Sequence, residues 1–171
     1  MSAPPSTGAT KLEIKGEECS KPGASNGQSG ASKKDIIRMA QCCCGNIKLT
    51  CLGNPIRVSV CHCYECQRRT GSAFGAQARY SCSKVKIEEK VSSTVYTRKG
   101  DENAGKIHFH FCPNCGSTVY YRFDGMDDML IVTLGAFADK DFPKPTVSVY
   151  EDRAHSWSQM THSTCITQHW A

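Results

Sequence analysis

From residue 40 onward apolar and polar positions alternate with a period of two in short stretches, which is the pattern of half-buried β-strands. The alternation predicts strands over 46–52, 56–60, 73–80, 84–88, 93–97, 107–111, 118–123, 129–134 and 146–150. Turn-forming residues separate them at Gly53-Asn54-Pro55, Lys99-Gly100-Asp101 and Asp124-Gly125. Helical periodicity is confined to residues 64–69, closed by Gly71, and to a turn near Asp139. No segment repeats at a fixed period. The expected fold class is all-β, with little helix.

Residues 1–38 are built differently. They are rich in Ser, Gly, Pro, Ala and Lys, with only Leu12, Ile14, Ile36 and Ile37 as larger aliphatics, too few to bury a core. This stretch is expected to be a disordered extension, followed by one domain over 39–160 and a tail over 161–171. A product starting at Met39 would keep the whole predicted domain. With 171 residues, one domain suits the length. No apolar run approaches the roughly 20 residues that cross a bilayer, so a soluble protein is expected. The N-terminus lacks the basic start and apolar stretch of a secretory signal, which points to the cytoplasm. The formal net charge is +5, but Lys and Arg are scattered, and metal-bound thiolates would lower it. A nucleic-acid partner is not expected from this. Lys33, Lys34 and Arg38 form the one small basic patch.

The cysteines change the picture. There are twelve, and seven fall into three tight groups: Cys42 and Cys44 before Gly45, then Cys61, Cys63 and Cys66, then Cys112 and Cys115 before Gly116. In a reducing compartment such clusters are metal ligands rather than disulfide partners. Side chains two apart on an extended segment point the same way, so Cys42 and Cys44 can share an ion while Cys43 faces elsewhere. A Cys-x-x-Cys turn does the same for Cys112 and Cys115. Joined, these two half-sites supply four thiolates, the closed tetrahedral set of a structural zinc. The middle group supplies three, which leaves a fourth position for water, a thiol or another side chain. Spacing alone also permits Cys61 to Cys66 to join Cys112 and Cys115.

The run CHCYECQRRTGSAF from Cys61 to Phe74, the preceding Cys42-x-Cys44-Gly45, and HFCPNCGSTVYY from His110 to Tyr121 resemble the glutathione-dependent formaldehyde-activating enzyme family, which includes centromere protein V. The likeness continues through Gly135-Ala136-Phe137, Pro145 and Trp157, and covers residues 41 to about 158. It implies a β-tent of small coiled antiparallel sheets pinned by zinc. It assigns Cys42, Cys44, Cys112 and Cys115 to one zinc and Cys61, Cys63 and Cys66 to a second with an open position. It also implies two zinc ions per chain, glutathione as co-substrate and a carbon-sulfur lyase-type reaction, the condensation of glutathione with formaldehyde or a related thiol and aldehyde. The catalytic residues would then be Cys61, Cys63 and Cys66, acting through the open zinc. One departure is Val147, where many relatives carry a histidine. Cys43 is an extra thiol inside the first motif.

Arg68, Arg69 and Ser72 follow the trio directly and are candidates for holding glutathione, although a solvated helix end and a turn explain them as well. His108 and His110 share one strand face and read as ordinary strand residues. His155 and Trp157 could close over the open zinc, or Trp157 could anchor packing. Cys51 and Cys82 read as strand residues, Cys19 and Cys165 as incidental. The alternative function is a non-catalytic, zinc-stabilised binding module for an anionic partner.

Overall fold

A computed structural model describes residues 36–100 and 105–158. The extension before residue 36, the tail over 161–171, and Cys19, Cys165, Lys33 and Lys34 lie outside the described residues. Ten strands and one α-helix are formed among those described: β1 (Ile37–Gln41), β2 (Ile47–Leu52), β3 (Arg57–Cys61), α1 (Tyr64–Thr70), β4 (Gly75–Ser81), β5 (Val85–Glu89), β6 (Thr94–Lys99), β7 (Lys106–Phe111), β8 (Thr118–Phe123), β9 (Met129–Thr133) and β10 (Val147–Val149). Every strand expected from the alternation is present within two residues of its bounds. The fold is mostly β, as expected.

Strand β1 is the addition. It begins at Ile37, and Arg38 donates to the Gly53 carbonyl at 3.0 Å. A chain starting at Met39 would therefore lose the first two residues of this strand. The helical turn expected near Asp139 lies slightly earlier, as a 3-10 turn over Leu134–Phe137. Cys82 opens another such turn (Cys82–Lys84) rather than lying within a strand.

The strands make two sheets. The smaller has the order β1-β2-β5 and the larger β10-β3-β4-β9-β8-β7-β6. Their pairings are antiparallel except at β10, which lies parallel to β3 with Val147 opposite Ser59 and Val149 opposite Cys61. A parallel partner requires a long return of the chain, and the whole segment from β4 to residue 146 supplies it.

Alternation on the larger sheet decides where the core sits. Leu130 and Val132 of β9 face the smaller sheet, where Leu49, Ile47 and Tyr80 are also almost fully buried. Ile131, between them in sequence, faces the opposite side with Ile107, Phe109 and Tyr121. One face of the larger sheet therefore closes the main core, and the other carries a separate aromatic cluster. No helix among the described residues is long and apolar enough to cross a membrane.

Leu130 is completely buried between the sheets. Leu130→Ala is expected to lower unfolding free energy by about 2–5 kcal/mol. Lys86→Ala, at an exposed surface pair with Glu88, should leave it essentially unchanged. Denaturant titration of the zinc-saturated protein measures both.

Candidate metal centres

The first cysteine group forms the turn of the β1–β2 hairpin. Gly45 takes a left-handed conformation (φ 72°), donating its N–H to the Cys42 carbonyl at 3.0 Å, while the Ile47 N–H points at Cys42 Sγ at 3.3 Å. The third group forms the corresponding turn of the β7–β8 hairpin. There Gly116 has φ 73° and donates to the Cys112 carbonyl at 2.8 Å. A side chain at either glycine would be strained, so each glycine permits the tight turn that presents a sulfur pair.

These two tips meet. Cys42 Sγ lies 3.6 Å from Cys44 Sγ, which lies 3.5 Å from Cys112 Sγ, and all four sulfurs of Cys42, Cys44, Cys112 and Cys115 are within 4.8 Å of one another. Tetrahedral zinc with bonds of about 2.3 Å separates its sulfurs by about 3.8 Å, so this donor set fits the ion. The first pair belongs to the smaller sheet and the second to the larger, so an ion here would tie the two together. Cys43 is exposed, and its N–H, rather than its sulfur, reaches the neighbouring tip, donating to Ser117 Oγ at 3.3 Å.

The middle group is assembled by a strand end and a helix start. Cys61 closes β3, and Cys63 caps α1, its sulfur accepting from the Cys66 N–H at 3.3 Å. The three sulfurs are buried and lie within 4.8 Å of one another, apart from the four-sulfur group. The open alternative, in which this trio joins Cys112 and Cys115, is not what the fold brings together.

Crowding of the thiols sets their protonation. In the trio, hydrogen bonds from Cys61 and then Cys66 hold Cys63 far below the usual thiol range, while Cys61 is pushed up chiefly by Cys63. In the four-sulfur group, the Ser117 hydroxyl brings Cys115 down to about 5. The physical cause in the trio is shared. Negative charge gathers on one sulfur and opposes ionisation of the next, so full ionisation of either cluster calls for a cation.

Apolar side chains cover one side of the trio: Val147 and Val149 of β10, and Tyr150, which has φ 58°. Gln67 fastens this cover, donating through Nε2 to the His62 carbonyl at 2.8 Å and the Arg153 carbonyl at 3.1 Å. Val147 thus packs in the apolar shell beside the sulfurs. A cavity of about 60 Å³ is lined by all three of these cysteines together with Val149 and Tyr150 of the cover.

The remaining candidates separate clearly. Arg69 lies close to the trio: a β-carbon at Gly75 would be 3.1 Å from Arg69 Nη2 and 3.5 Å from Cys66 Sγ. Its guanidinium lies over the rings of Phe109 and Tyr121, 5.0 and 5.5 Å from their centroids. Arg68 instead pairs with Glu65 on the exposed side of the helix, and Ser72 is exposed in the turn beyond it. His110 stacks on Tyr120 and bonds with Ser93, and His108 bonds with Thr97 and Asp124. Both therefore behave as strand residues. Trp157 is 75% exposed and stacks on His155, so it anchors no core, and neither ring lines the cavity.

Reading the sequence missed Arg57, Arg79, Arg98 and Gly75, which border the trio or line its cavity. The signal was available for Arg57, which precedes Cys61 by four residues on one strand and so shares its face.

Cys43→Ser is expected to leave the bound zinc unchanged, whereas Cys44→Ser should remove one equivalent; metal analysis after dialysis distinguishes the two. Gly75→Ala should weaken metal retention at the trio by displacing Cys66 and Arg69, leaving the four-sulfur centre loaded. Cobalt substitution, with its thiolate-sensitive visible bands, reports this site by site.

No curated protein matches the chain. A crystal structure of a Rhodobacter sphaeroides protein is similar to it with a TM-score of 0.45 and 17% identity, covering 57% of this chain and 85% of that one. The family model described as "Glutathione-dependent formaldehyde-activating enzyme" matches residues 37–153, from the first residue of β1 to the turn that follows Tyr150. That span contains both sulfur clusters, and the chain belongs to the glutathione-dependent formaldehyde-activating enzyme family.

Proposed function

We propose that this protein is a carbon-sulfur lyase-type enzyme that condenses glutathione with formaldehyde to S-(hydroxymethyl)glutathione, or a closely related thiol with a small aldehyde. The observation that carries this reading is the contrast between the clusters: four sulfurs converge at a joint between sheets, while three converge at the wall of a cavity. Cys42, Cys44, Cys112 and Cys115 would hold a structural zinc. Cys61, Cys63 and Cys66 would hold a second, whose charge, when it is bound, favours the thiolate form of an incoming thiol near neutral pH.

The chain's own groups supply the rest. The Cys66 N–H bond to Cys63 fixes the trio at the start of α1, and the apolar cover from β10 limits water on one side. Arg98 favours negative charge on Cys63, and Arg69 favours it on Cys66, so cations border the place where a thiolate would sit. In the condensation the thiol sulfur gives up its proton and bonds to the aldehyde carbon. The carbonyl π bond opens onto oxygen, which takes up a proton, so the reaction needs neither oxidant nor reductant. The cytoplasm, where thiols stay reduced, suits both ligands and substrate.

Cys63→Ala is expected to reduce zinc from two equivalents to one and to bring condensation down to the uncatalysed rate, measured by formaldehyde consumption in the presence of glutathione. The four-sulfur centre should keep the fold, so the thermal midpoint should fall far less than in Cys112→Ala. Condensation that stays above the uncatalysed rate after loss of the second zinc would overturn the proposed chemistry.

A further inference from the structure

Strand β8 carries two neighbouring tyrosines that alternation sends to opposite faces of the larger sheet. Both are almost fully buried, at 5% exposed. Tyr120 joins the main core, and its hydroxyl donates to Glu89 Oε1 at 3.0 Å. Tyr121 joins Ile107, Phe109 and Ile131 on the other face and lines the cavity beside the three cysteines. Its hydroxyl has no hydrogen-bond partner among the described residues. A buried phenol normally finds one, since an unpaired hydroxyl forfeits its hydration for nothing. The tyrosine that lacks a partner is the one that borders the sulfurs.

Its ring is held on three sides. Phe109 lies tilted against it at 5.0 Å between centroids, Phe123 meets it edge-on at 5.7 Å, and the Arg69 guanidinium covers it 5.5 Å from its centroid. Arg69 also joins the ring to the metal-site cysteines: a β-carbon on Gly75 would be 3.1 Å from Arg69 Nη2 and 3.5 Å from Cys66 Sγ. Burial pushes the Tyr121 phenol up, and negative charge on Cys66 pushes it further. The ordinary phenol pKa is about 10, so this hydroxyl keeps its proton throughout the neutral range. It is a donor of fixed direction that waits for an acceptor, which is the arrangement that stabilises charge developing on oxygen.

The acceptor must be small. The space of about 60 Å³ holds only a few water-sized volumes of about 10–15 Å³ each. Ile107, Phe109, Phe123 and Ile131 wall it with carbon. One carbonyl or hydroxyl oxygen on a short carbon unit suits such a space, and a bulky group does not.

We infer that Tyr121 is a catalytic residue of the condensation, its hydroxyl donating to the aldehyde oxygen and passing it the proton as the carbon–sulfur bond forms. This deepens the proposed function and rests on it for the substrate. As the thiolate sulfur bonds to the carbonyl carbon, the π pair moves onto oxygen, and that oxygen takes the phenolic proton. The phenolate recovers a proton from solvent, which has received the one the thiol gave up, so charge balances and nothing is oxidised or reduced. Afterwards the same hydroxyl holds the oxygen of the hydroxymethyl product.

Tyr121→Phe removes the hydroxyl and keeps the ring with its contacts. In the zinc-loaded full chain, kcat corrected for the uncatalysed rate is expected to fall about 100-fold or more, with KM for glutathione little changed and with zinc content and thermal midpoint preserved. A binding readout independent of turnover uses two unreactive thioethers, S-(2-hydroxyethyl)glutathione and its methyl isostere S-propylglutathione. Calorimetry is expected to show the wild type preferring the hydroxyl-bearing ligand by about threefold or more, and Tyr121→Phe losing that preference. The wild-type comparison stands even if the variant does not fold. A folded Tyr121→Phe that condenses at the wild-type rate, or a wild type that does not prefer the hydroxyl, would overturn the role. A wild type that fails to condense yet keeps a Tyr121-dependent preference would overturn the proposed reaction and the catalytic part of Tyr121 in it, while sustaining the hydrogen bond itself.

Discussion

Mutual repulsion between neighbouring thiolates is the constraint on which this structure turns. Seven sulfurs are gathered into two groups, and in each an ionised thiol opposes ionisation of a neighbour: Cys63 pushes Cys61 up, and Cys112, Cys42 and Cys115 push Cys44 up. Without a cation, such clusters must keep protons or spread apart; with one, the same crowding becomes a binding geometry. The backbone is arranged to hold the sulfurs there. Left-handed glycines at positions 45 and 116 turn two hairpin tips toward each other, and the junction of β3 and α1 folds three residues around a third point. The two centres differ in what surrounds them. One occupies the seam between sheets, whereas the other is packed by apolar side chains of β10 and borders a hollow that arginines also line.

The larger sheet explains how two centres coexist without interfering. Its alternation sends Leu130 and Val132 into the main core and Ile131 to the opposite face, next to Tyr121 and Phe109. Arg79 is paired with Ile131 in register, so the arginine wall and the aromatic cluster belong to one continuous surface. Arg69 reaches this surface from α1 and lies against Phe109 and Tyr121, where the electron-rich ring faces offset part of its charge. The core face provides rigidity, and the other face provides chemistry.

Much of this was legible in the sequence because local pattern and local chemistry coincided. Period-two alternation marked nine strands, and Gly71 marked the end of α1, where it adopts a φ of 63°. The division of sulfurs into four and three followed from spacing joined to a family likeness, and the fold brings together those same sets. What escaped depended on distant pairing. Ile37 and Arg38 looked like the end of a polar extension because nothing nearby shows that β2 waits as their partner. Arg57 and Arg79 are 22 residues apart and acquire meaning only when antiparallel register sets them face to face. The tryptophan at 157 looked like a packing anchor by residue type, yet it is stacked on His155 and largely in solvent.

The parallel attachment of β10 to β3 gives the molecule an order of assembly. Every sulfur of the four-membered centre precedes residue 147 in the chain, so the seam between sheets does not depend on the last strand. The three-membered centre must wait for Val147, Val149 and Tyr150 to return across the sheet and roof it. During that interval its thiols lack their late-arriving shelter, and the final strand converts an exposed cluster into a finished chamber.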